Sequence, residues 1–177
     1  MADFYPAVSG DDGHSKDAGF ENNTNYVNLG NDGGTYYDKM FIRFPGVTIP
    51  AGSSIFTATL TLTAYASLSA GPPSVSIYFN DVDDAVAPIS KAELDGLAIT
   101  TAVVAWDVPS TTADSEYTTP DFSAVLQEVI DRAGWSANNS LTILYGTRNN
   151  EGGYRSFSSY DRGVDLAPKL EITYVPQ

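Results

Sequence analysis

The segment "NDVDD" places four oxygen-bearing side chains, Asn80, Asp81, Asp83 and Asp84, within a single short run. A hard cation such as Ca²⁺ gathers roughly six to eight oxygen ligands, and donors at near-alternate positions of one loop supply several of them. The run lacks the register and the distant Glu of an EF-hand, and Asp and Asn also favour turns by bonding to nearby backbone. A structural Ca²⁺ is one expectation for this loop, and an acidic turn closing a strand is the other. Asp161 and Asp165, beside the last strand-like segment, form a second oxygen set if the fold brings them to Asp3.

A second chemistry is open to the aromatic residues. Sugars are held by flat rings beside groups that hydrogen-bond hydroxyls, and the chain carries 11 tyrosines. Tyr36, Tyr37, Tyr145, Tyr154 and Tyr160 fall in or near loops together with Arg148, Asn149, Asn150 and Arg155. From these, Tyr36, Tyr37, Arg148, Asn149, Tyr154 and Arg155 make the candidate glycan platform. The competing reading is that strand tyrosines pack their rings on neighbours and point their hydroxyls to water. Trp106, inside "VVAWDV", is expected in the core.

Catalysis finds little to work with. His14 is the single histidine and stands in a stretch rich in Asp, Gly and Lys, read as a flexible loop where a positioned base is not expected. There is no nucleophile elbow, phosphate-cradling loop or His-Glu-x-x-His pattern. A carboxylate pair such as Glu21 and Asp161 would need a defined separation to hydrolyse glycosides. The protein is therefore expected not to be an enzyme.

Charge narrows the partners. With 22 acids against 9 bases the net charge is −13, which repels phosphate backbones and anionic headgroups, so nucleic acid is not an expected partner. No apolar run approaches the roughly 20 residues of a membrane span. Cysteine is absent, which removes disulfides and thiolate chemistry. "MADFYPAVSG" has no basic region followed by an apolar stretch, so a chain standing alone without a secretory signal is expected.

The elements that must carry these residues are mostly strands. Thr57, Thr59, Thr61 and Thr63 alternate with Phe56, Ala58, Leu60 and Leu62, the period of a strand with one face on a core. Ser90 and Glu93 form a capping box that predicts a helical turn. Phe122, Val125, Leu126, Val129 and Ile130 recur at helical spacing, which predicts one amphipathic crossover helix over about 119–132. Thr119 is its expected cap and Pro120 its first residue, with Arg132 favourable at its C-terminal end and Trp135 closing the core margin. Residues 1–35 read as a loop-rich segment. The expected architecture is one all-β domain over 1–177, a jelly-roll β-sandwich of two antiparallel sheets.

The order of "FIRFPGVTIPAGSSIFTATLTLTA", "IYFNDVDDAVAP", "TTAVVAWDVP", "TPDFSAVLQEVIDRAGWSANNSLTILYG" and "SFSSYD" before "APKLEITY" resembles jelly-roll domains similar to carbohydrate-binding modules of the DNRLRE-like group. The likeness runs from about Asn23 to Tyr174. It implies a non-catalytic structural or adhesive module, as found on secreted polysaccharide-active proteins and on phage virions. Expected partners are other virion proteins or like copies of the chain, with a polysaccharide as a further ligand. The expected setting is a virion surface, as capsid decoration or tail component, or alternatively the extracellular or cell surface.

Overall fold

The computed structural model describes residues 1–37, 39–148 and 153–177. Its strands are β1 (Ala2–Phe4), β2 (Asp12–Lys16), β3 (Gly19–Glu21), β4 (Tyr26–Asn31), β5 (Tyr36–Tyr37), β6 (Lys39–Val47) and β7 (Ser54–Thr63). They continue as β8 (Ser74–Phe79), β9 (Val104–Asp107), β10 (Glu116–Thr118), β11 (Asn139–Thr147), β12 (Gly153–Ser158) and β13 (Lys169–Val175). The helices are α1 (Lys91–Gly96) and α2 (Ser123–Ile130). Every strand pair is antiparallel, and the result is the expected all-β sandwich.

The strands form three hydrogen-bonded sheets, not two. A four-stranded sheet runs β1-β13-β7-β10, a six-stranded sheet β3-β2-β6-β11-β8-β9, and a small sheet β12-β4-β5 covers part of the core. One hydrophobic cluster joins all three, with Leu60, Leu62 and Ile172 from the first, Ile42, Phe79 and Ile143 from the second, and Val27, Leu29 and Phe157 from the third.

Alternation decides the middle of the molecule. In β7, Ala58, Leu60 and Leu62 are fully buried while Phe56, nearer the start of the strand, is 60% exposed. The free edge of β7 beyond β10 is sealed by side chains. Thr119 Oγ1 accepts from Leu60 N at 3.0 Å, Asp121 Oδ1 from Ala58 N at 2.8 Å and Gln127 Oε1 from Ile55 N at 2.7 Å. Covering an edge in this way removes a template for further pairing.

That use of Thr119 and Asp121 explains where the crossover helix begins. α2 starts at Ser123 with Phe122 at its N-cap, so Thr119 and Pro120 lie ahead of it. Val125, Leu126, Val129 and Ile130 are buried, as their spacing predicts, and each contributes roughly 2 kcal/mol of apolar burial. Ser90 caps α1 as expected: its Oγ accepts from Glu93 N, while the Glu93 carboxylate accepts from Ile89 N, one residue before the cap.

Residues 1–35 differ from expectation. They contribute β1 to the four-stranded sheet, β2 and β3 to the six-stranded sheet and β4 to the small one. His14 accordingly sits on β2, fully buried, and not in a flexible loop. Its ring lies 5.3 Å from Tyr37 and 6.0 Å from Tyr26, between centroids. Among the described residues, no helix is long and apolar enough to cross a membrane.

Candidate functional site

The acidic loop after β8 is closed by a cation from the protein itself. Arg132 Nη1 donates to Asp81 Oδ1 at 2.5 Å and its Nε to Asp83 Oδ1 at 2.7 Å. Asp84 accepts from Ser140 N at 2.7 Å, and Asn139 Nδ2 donates to the Asp83 carbonyl at 3.0 Å. Gly134 makes room for this clamp, since a Cβ there would stand 2.0 Å from an Asp83 carboxylate oxygen. Asn80 is buried, and its Oδ1 has no partner among the described residues. Two of the four residues considered for Ca²⁺, Asp81 and Asp83, thus bond Arg132.

The other three carboxylates point to different surroundings. Asp3 is exposed on β1 opposite Glu171. Asp161 Oδ1 accepts from Ser9 at 2.5 Å, while its Oδ2 is buried without a partner among the described residues. Asp165 is exposed on the wall of a groove over the four-stranded sheet, with Tyr160. Among the described residues, no three acidic or histidine side chains converge on a common point suited to an ion.

Asp161 faces a second acidic corner, formed by Asp11 and Asp12 at the start of β2. Asp11 pairs with Arg43 Nη1 at 2.7 Å and accepts from Ala7 N and Val8 N. Asp12 accepts from Tyr160 N at 2.7 Å and has no cation of its own among the described bonds. Burial pushes its carboxyl up to about 7; the Tyr160 N–H opposes that shift, and the charges of Asp161 and Asp11 reinforce it. Glu21, the remaining acid of the pair considered for hydrolysis, bonds Lys16 and stands 3.4 Å from His14.

The tyrosines assemble further than sequence suggests. Tyr154 on β12 stacks on Tyr37 of β5 at 6.0 Å, Tyr37 meets His14, His14 meets Tyr26 of β4, and Tyr26 lies 5.2 Å from Tyr65. Arg162 closes the run, its guanidinium carbon 4.9 Å from the Tyr65 ring centre. Tyr154, Tyr26 and Tyr65 present partly open rings, whereas Tyr37 and His14 lie deeper and hold them apart. Asn28 and Ser156, paired across β4 and β12, sit between the two ends of this stripe. Both are 5% exposed, and Asn28 Oδ1 has no partner among the described residues.

Of the six platform residues, Tyr37 and Tyr154 are in the stripe. Tyr36 is next to it, with its hydroxyl 3.5 Å from the Thr147 carbonyl. Arg148 is exposed, and Asn149, like Asn150, lies outside the described residues. Arg155 is a correction: it is fully buried and donates to the carbonyls of Pro109, Tyr154 and Ala70. Only an inward-facing position on β12 lets one guanidinium satisfy three carbonyls, so Arg155 binds the protein's own backbone. Tyr145 is likewise internal, 6.3 Å from Trp106. His14, Tyr26, Tyr65, Asn28 and Arg162 were missed, because no local pattern joins residues from four separate segments.

No family model matches this chain, and no curated protein matches it.

Proposed function

We propose that the protein is a non-catalytic adhesive module, a β-sandwich carried on a phage virion as capsid decoration or tail component, which contacts a saccharide through the ring stripe. The observation that supports this reading is the unbroken run from Tyr154 to Tyr65, ending on Arg162 with the orphan Asn28 oxygen at its middle. Half-open tyrosine rings give sugar faces an apolar bed beside hydroxyls that can bond the sugar's own. Display in many copies turns a weak contact of this kind into firm adhesion.

Two measurements test it. Retention on immobilised polysaccharides should fall about tenfold for Tyr154→Ala and for Tyr26→Ala, with the fold unchanged by circular dichroism. Unchanged retention by both variants, or no retention by the parent chain, counts against the stripe. Mass spectrometry of purified particles should find this chain among the virion proteins. Finding it instead joined to a polysaccharide-active enzyme would favour the second reading, a glycan-binding module of a secreted or surface protein, for which the same stripe is the contact face.

A further inference from the structure

The groove that holds Asp165 borders the Arg162 end of the stripe and lies at the opposite end from Tyr154. It lies on the outer face of the four-stranded sheet and encloses about 460 Å³, within the range of small-molecule sites. Its floor is Thr61 and Thr63 of β7, with Glu116 opposite Thr63 and Lys169 opposite Thr61. Threonines on an outer sheet face are ordinarily open to water, yet these two are only 8% and 6% exposed. The walls overhang them: Tyr5 and Pro6 on one side, the 160–167 segment with Tyr160 on the other. The second wall is pinned by the bond from Tyr160 N to Asp12, so the cavity does not depend on a ligand to form.

Charge identifies the occupant. Lys169 Nζ is 3.0 Å from Glu171 Oε1, and Glu171 Oε2 also accepts from the Thr61 hydroxyl. Those two charges neutralise each other. Glu116 and Asp165 remain as exposed carboxylates that form no hydrogen bond or ion pair among the described residues. A ligand that fills this space therefore meets two tyrosines, threonine hydroxyls and two uncompensated negative charges. We propose that the groove is a second ligand site, independent of the stripe, and that it takes one or two sugar rings carrying a protonated amine. The hydroxyls of such a ring meet Thr63 and the tyrosine hydroxyls, its apolar face meets a tyrosine ring, and its ammonium meets Glu116 or Asp165.

The experiment is calorimetric titration of the full chain with a glucosamine dimer, the N-acetylated dimer and a glucose dimer, at low and high salt. The amine form should bind about tenfold more tightly than either neutral form, and the advantage should shrink as salt rises. Glu116→Gln with Asp165→Asn should erase the advantage, while Tyr154→Ala leaves it intact. Equal binding of the three sugars, absence of binding by the amine form, or an advantage that survives the double substitution overturns the proposal. Both substitutions are isosteric and at exposed positions, so a folding failure does not blur the result. Loss of the preference in Tyr154→Ala would assign the binding to the stripe and overturn the groove.

Discussion

The two acidic corners solve the same problem in opposite ways. At the end of β8, Asp81 and Asp83 are part-exposed and share Arg132. At the start of β2, Asp11 and Asp12 are each 1% exposed, and only Asp11 has an arginine. Asp12 has none, so burial pushes its carboxyl up to about 7 and a proton takes the place of the cation as pH falls below that value. Near water a shared cation suffices, whereas in the interior each charge needs its own partner or must be discharged.

The largest effect should come from removing the cation at the buried corner. Arg43→Met leaves Asp11 charged and buried, and also frees the Ala85 carbonyl and the Ser140 hydroxyl. A loss of about 3 kcal/mol is expected, read from chemical denaturation at neutral pH. A loss below about 1 kcal/mol would mean that the two backbone donors to Asp11 already suffice.

Next in size is the proton at Asp12. Its pKa is raised on folding, so its contribution is fully present below about 4 and is lost as pH rises through about 7. Asp12→Asn keeps an acceptor for Tyr160 N and cannot ionise. It should match the parent near pH 4 and exceed it by a few kcal/mol above pH 7. His14 tilts the other way. Burial lowers its pKa to about 4, against the pull of Glu21, so its stabilising share is whole above about 6.5 and is lost as pH falls through about 4. In the parent the two slopes offset each other between pH 4 and 6.5. Asp12→Asn should expose the His14 slope, a stability that falls with acid, and a flat profile in that variant would break the comparison.

The smallest effect belongs to the open corner. Arg132→Met should lower the denaturation midpoint only slightly, and less than Arg43→Met, because its partners are part-exposed and screened by water. Gly134→Ala should cost a similar amount by pushing Asp83 out of the clamp. In the double variant the two losses should not add, since either change alone opens the same contact.

Much of the frame was legible because it is periodic. The alternation in β7, the buried face of α2 and the Ser90 cap are local patterns whose partners are set by spacing alone. The N-terminal strands were not legible, since "DGHSK" shows no alternation of apolar and polar residues. It is buried because β4 and β5 lie close to it, which places the rings of Tyr26 and Tyr37 against His14. Arg155 misled for a related reason: the three carbonyls that hold it come from positions 70, 109 and 154. The stripe and the groove are both assembled across such distances. Their residue types were visible in the sequence, but their company was not.

The order of the four-stranded sheet bears on how the chain comes to fold. β13, the last strand, lies between β1, the first, and β7, so β1 has no hydrogen-bonded strand partner until β13 is in place. During synthesis β1 must wait until Lys169–Val175 has been made before it can pair. Closure of that sheet is therefore a late, long-range step, slow by the rule that distant contacts must first meet the entropy of loop closure. A ribosome-bound chain halted before Lys169 should leave Ala2–Phe4 open to protease, and extension beyond Val175 and out of the ribosome should protect it in a single step.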